Sequence, residues 1–107
     1  MTLTVLGGVA RVPTVHAARY VRQLCAHWRH RFRVEMSDGR ATVRVPRDAR
    51  EANWPGEGLI LLAAGAVDLE VRIEASCKDQ LDAIKGAVSR HLARFALREG
   101  PLAIEWR

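Results

Sequence analysis

The chain is poor in the residues that give small proteins their staples and motifs. Cys25 and Cys77 are its only cysteines, and neither stands in a C-x-x-C or zinc-type spacing, so no disulfide framework or cysteine-based metal knot is expected. In a reducing compartment both read as small buried hydrophobes. Long apolar runs are also missing: the longest, residues 59–67, is interrupted by Gly65 and is far too short to span a bilayer. The opening MTLTVLGG lacks the basic start and extended apolar core of a secretory signal, so a cytoplasmic protein with no membrane role is expected. Gly7-Gly8 is followed by neither a Lys-Ser/Thr pair nor a dinucleotide spacing, and no H-E-x-x-H pattern occurs. Cys25 and His27 are two residues apart, hence nearly opposite on a helix, and Cys77 has no histidine close in sequence. No nucleophile-base pair is legible, which makes a non-catalytic protein the expectation.

What is present suits one folded soluble domain spanning residues 1–107, with 49% apolar and 27% charged residues. Charge is uneven along it. Residues 1–50 hold ten Arg and no Lys against Glu35, Asp38 and Asp48, a balance of +7, whereas residues 51–107 hold seven basic against nine acidic residues, a balance of −2. Such asymmetry points to an anionic partner for the first half. Fifteen of the seventeen basic residues are Arg, a bias that genomic base composition produces by itself. No basic run, RNA-binding aromatic motif or helix-turn-helix spacing accompanies it, so nucleic acid is disfavoured as a partner.

Apolar periodicity predicts β-α-β-β-β-β-α-β. A strand over residues 3–12, split or frayed at Gly7-Gly8, stops at Pro13, and Thr14 is placed to cap a helix over residues 15–29. Residues 31–36 and 41–45 alternate around Ser37-Asp38-Gly39-Arg40 as a hairpin, and the segment 46–58 reads as a long connection with at most a short helical turn. Residues 59–64 and 67–75 make a second hairpin around Ala64-Gly65-Ala66. Ser76 with Asp79 reads as a capping-box variant before the stripe Leu81, Ile84, Val88, Leu92 and Phe95, and residues 102–106 close as a strand. The resulting fold class is α+β, a mostly antiparallel sheet with two helices on one face.

The first helix carries the most informative pattern. His16, Tyr20, Gln23, His27 and His30 step by four, three, four and three, which lines them up on one stripe. At about 100° per residue, that stripe lies beside the apolar set Ala17, Val21, Leu24 and Trp28, bordering the buried face. With Arg19 and Arg22 flanking it, Tyr20, Gln23 and the imidazoles offer donors and acceptors suited to an acid or phenolate group. His27 and His30, three apart, could share a metal ion or an anion if His91, on the shoulder of the second helix, joined them. His16 is about 21 Å of helix from His30 and belongs to no common mononuclear site. A small molecule or a metal ion is thus one expected partner. The other expectation is an interaction module that docks an anionic protein or nucleic acid through the basic first half. Nothing in the sequence excludes a homodimer.

The blocks H-A-x-R-Y, Q-L-C-x-H-W-x-H and H-L-x-R-F-A-x-R-E, within residues 10–32 and 90–106, resemble the bacterial domain-of-unknown-function family 2218 over nearly the whole length. The matching positions are His16, Arg19, Tyr20, Gln23, Cys25, His27, Trp28, His30 and Phe32, then His91, Arg94, Phe95, Arg98 and Glu99. The resemblance implies a small α+β domain without an established reaction and, through the genes found near its relatives, iron or siderophore handling. Residues 47–58 look longer and more charged than the turn associated with that family.

Overall fold

A computed structural model describes residues 6–107, and the first three residues of the predicted leading strand lie outside that span. Five strands form one antiparallel sheet: β1 (Leu6–Pro13), β2 (Arg33–Ser37), β3 (Arg40–Val45), β4 (Gly58–Ala64) and β5 (Asp68–Ala75), in the spatial order β1-β5-β4-β3-β2. Helices α1 (Ala17–Trp28) and α2 (Lys78–Phe95) are the other main elements. Both pack on the same face, α1 over β2, β3 and β4 and α2 over β1 and β5. That face is the core. Val12, Val43, Ile60, Leu62, Leu69, Val71 and Ile73 project inward and meet Val21, Leu24, Trp28, Ile84, Val88 and Leu92 from the helices. The opposite face alternates outward with Arg11, Arg44, Arg72 and Glu74 and stays open.

Turn chemistry sets the register. Asp38 and Gly39 both have positive φ, 49° and 76°, the two-residue geometry whose twist matches a hairpin, so Ser37 pairs with Arg40. The strand through Gly7-Gly8 is continuous, with Gly7 opposite Glu74 and Gly8 opposite Ile73. Gly8 lets α2 lie close over β1: a Cβ there would stand 2.7 Å from Lys85 Cε, the far end of a flexible side chain that would have to swing aside. The closing strand shrinks to a single antiparallel bridge, Ala10 to Trp106, with Val9 and Arg107 exchanging both backbone hydrogen bonds. The tail thereby covers the outer edge of β1, a pairing edge that would otherwise be free.

Both predicted caps are corrected. The Thr14 hydroxyl accepts the His16 amide at 3.0 Å, only two residues ahead, so the helix starts at Ala17 and His16 becomes its flanking residue. At the other end the amides of Arg31 and Phe32 both bond to Trp28 O, turning the chain toward β2. His30 is therefore outside the helix. Before α2, the partner of Ser76 is Gln80 rather than Asp79: Gln80 Oε1 accepts both the Ser76 amide (2.7 Å) and hydroxyl (2.6 Å). Gln80 Nε2 donates to Gly56 O at 3.0 Å, so a fully buried amide ties the long connection to the helix start. That connection holds the short turn foreseen, a 3-10 helix over Ala49–Glu51.

Candidate functional site

The α1 stripe serves two separate hollows along the seam with α2. The first, of about 410 Å³, is lined by His16, Arg19, Tyr20 and Gln23 from α1 and its start, and by Arg94 to Glu99 at the end of α2, Ala96 excepted. The second, of about 240 Å³, is lined by His27, Trp28, Arg31 and Phe32, by Ala87 and His91 of α2, and by Arg50 of the long connection. Phe95 lines the first hollow and meets His27 edge-on at 6.1 Å, so it stands between the two.

Glu99 organises the first hollow. Its Oε1 accepts the Thr14 hydroxyl at 2.9 Å and the Tyr20 phenol at 2.5 Å, which ties the turn after α2 to the start of α1. The Tyr20 bond is the main cause holding the Glu99 carboxyl below its ordinary range, helped by Thr14 and by the nearby His16 and Arg19. Burial, and then the same carboxylate, push the Tyr20 phenol up, so Tyr20 stays protonated and remains a donor. Around this anchored carboxylate stand Arg19, Arg94 and Arg98, and among the described residues no carboxylate lies within ion-pair distance of any of them. Gln23 contributes a different demand. Its Oε1 is buried with no hydrogen-bond donor among the described residues, a condition that costs about 1–3 kcal/mol while it lasts.

Of the residues picked out from sequence, His16, Arg19, Tyr20 and Gln23 converge in the first hollow, and His27 and His91 meet in the second with ring centroids 4.3 Å apart. His30 lies exposed in the turn after α1 and lines neither hollow, so the structure does not bring it to His27 and His91. Among the described residues, no three His, Cys, Asp or Glu side chains gather as a metal ion would need. Arg22, expected to flank the stripe, is exposed and lines neither hollow. Arg94, Arg98 and Glu99 were not read as site residues from helix geometry, although Arg90, Arg94 and Arg98 repeat every fourth position toward the end of α2. Arg31 and Arg50 carry no such signal. Cys25 is fully buried, with burial pushing its thiol up, which makes it an inert packing residue.

Fold and seam together define a small α+β domain with two open, arginine-lined hollows between its helices. The model of a family described as uncharacterised proteins conserved in bacteria, DUF2218, matches residues 9–107, and the chain belongs to that family. It is similar to a solution structure, the NMR structure of PA4090 from Pseudomonas aeruginosa, with 29% identity over 94% of each chain and a TM-score of 0.71. No curated protein matches. Among the described residues, no helix is long and apolar enough to cross a membrane.

Proposed function

We propose that the domain is a non-catalytic binding module for a small organic acid, held in the hollow between the start of α1 and the end of α2. One observation carries this reading: three guanidiniums without ion-pair partners among the described residues line one hollow, beside Gln23, whose carbonyl oxygen is sealed from solvent without a donor. An acid group satisfies the first demand, because Arg presents paired N–H donors that match a carboxylate. A hydroxyl on the same molecule satisfies the second once the Gln23 side chain turns its sealed oxygen toward the hollow. Phe95 and the exposed Leu97 supply apolar surface for the carbon skeleton. Glu99 holds Tyr20 in place and keeps the hollow from becoming a generic sink for anions, since one carboxylate already faces the guanidiniums.

The family's expected setting in iron or siderophore metabolism makes hydroxy acids and phenolic acids the first probes. Calorimetric titration with 2-hydroxybenzoate and with citrate should give saturable binding to the wild type. The Arg94→Ala, Arg98→Ala double variant should lose at least about tenfold in affinity, given charge-assisted bonds of this kind. Equal binding by wild type and double variant, or none by a folded wild type, overturns the reading.

Docking of an anionic protein or nucleic acid by the basic first half has less support. Arg11, Arg33, Arg40 and Arg44 project from the open sheet face whereas Arg19, Arg22 and Arg29 lie on the helix side, so the charges are divided between opposite sides. Arg11 is also paired with Asp68 and Glu70, and Arg44 with Glu57.

A further inference from the structure

The second hollow stands outside that role and is chemically different. His27 and His91 face each other at 4.3 Å between ring centroids, tilted by 54°, and the Trp28 ring meets His91 edge-on at 5.8 Å. Arg31 and Arg50 line the same hollow, and no carboxylate does. Neither guanidinium has an ion-pair partner among the described residues. We propose that this hollow binds a phosphate group, with the guanidiniums of Arg31 and Arg50 and the ring N–H groups of His27 and His91 as its donors.

Three lines of geometry point the same way. First, the donors come from three separate stretches: the end of α1 and its exit, the 3-10 turn, and α2. A planar carboxylate offers two oxygens, whereas a tetrahedral phosphate offers oxygens in several directions and can meet all of these groups. Second, Arg50 reaches the hollow from an unusual backbone. It has φ 57° and ψ 39°, and Glu51 after it has φ 65°, so two successive L-residues adopt the left-handed region that glycine takes readily. That turn of the backbone brings the Arg50 side chain, and not that of Glu51, to the wall of the hollow. Third, the cationic surroundings exclude the competing occupant: two guanidiniums repel a metal ion, and the two histidines have no third ligand among the described residues.

Protonation follows from the same arrangement. Burial first, then His27, Arg90, Arg50 and Arg94, lower the proton affinity of His91, so that ring gives up its proton more readily than an ordinary imidazole. A bound dianion opposes those cationic charges, and His91 then takes up a proton as the ligand binds. Trp28, almost wholly buried, and the half-buried Phe32 keep water from one side of the hollow, which strengthens each of these attractions.

The test is an NMR titration with inorganic phosphate near pH 6.5, about the midpoint of an unperturbed imidazole, against chloride at matched ionic strength. Saturable shifts are expected at the His27 and His91 rings and the Arg50 backbone, with the His91 titration moved to higher pH in phosphate. Arg50→Gly should weaken phosphate binding about fivefold or more while raising the melting temperature, because glycine accepts the backbone that arginine strains. Arg31→Ala, at an exposed position outside the helix, should weaken binding without a rise in melting temperature. Phenyl phosphate separates two sources of the ligand: tighter binding than phosphate indicates an organic phosphate resting on Trp28 and Phe32, and equal binding indicates the free ion. Phosphate acting no differently from chloride, or binding Arg50→Gly as well as wild type, overturns the proposal. Neither result bears on acid binding in the first hollow, whose lining residues are different.

Discussion

The two hollows on the helix seam share one stripe of α1 yet differ in what balances their charge. In the first, Glu99 is fixed by Tyr20 and Thr14 and stands among three guanidiniums. In the second, two imidazoles and two guanidiniums face one another with no carboxylate in the lining. The evenly spaced polar residues of α1 are therefore not one site. Phe95 projects from α2 between Gln23 and His27 and divides the stripe, so each half takes its chemistry from whatever the rest of the chain brings opposite.

The largest expected effect tests what the hollows have in common. Leu24, fully buried on the inner side of α1 between the turns that carry Gln23 and His27, supports both. Leu24→Ala should lower stability by about 2–5 kcal/mol in denaturant unfolding, and ligand-induced shifts in both hollows should weaken together. A variant that loses one set and keeps the other would mean that the hollows do not depend on a common floor. Next is the separation itself. Arg94→Ala with Arg98→Ala should cost at least about tenfold in affinity for 2-hydroxybenzoate and leave the phosphate-induced shifts of His27 and His91 in place.

Much of this frame was legible in the sequence. Alternation in residues 67–75 and the turn residues 37–40 are local signals, and they were enough for the hairpins but not for their register, since only Asp38 and Gly39 of the four make the first turn. The stripe was legible too, because helix periodicity depends only on spacing. Its ends were not. Thr14 and Trp28 redirect the backbone on either side of α1, and whether a hydroxyl takes an amide two or three residues ahead is settled by the strand before it and by Glu99 far along the chain. His30 was lost from the site for this reason. Arg50 was invisible for a stronger one: its place beside His91 in the second hollow depends on a left-handed backbone that no arginine advertises.

Smaller effects sharpen the contrast. Gln23→Leu removes the buried oxygen that has no donor, so it should stabilise the free protein by up to about 1 kcal/mol, measured as a higher denaturation midpoint, while weakening the acid ligand. A loss of stability would show that Gln23 already has a partner. The smallest effect is one of pH. The Glu99 carboxyl is held low in the folded state, so its bonds stabilise the fold fully above the ordinary glutamate range, near pH 4.3, and less as pH falls through and below it. Tyr20→Phe should therefore lower the denaturation midpoint at neutral pH, and the gap from wild type should narrow in acid. A gap that stays constant with pH would separate Tyr20 from the Glu99 charge.

The most direct measurement for acid binding in the first hollow is a residue-by-residue NMR map of 2-hydroxybenzoate added to the wild-type protein. Saturable shifts are expected centred on His16, Arg19, Gln23, Arg94 and residues 97–99, with His27, His91 and the turn at Arg50 unmoved. Shifts spread evenly over the exposed arginines, or confined to the open face of the sheet, would contradict it.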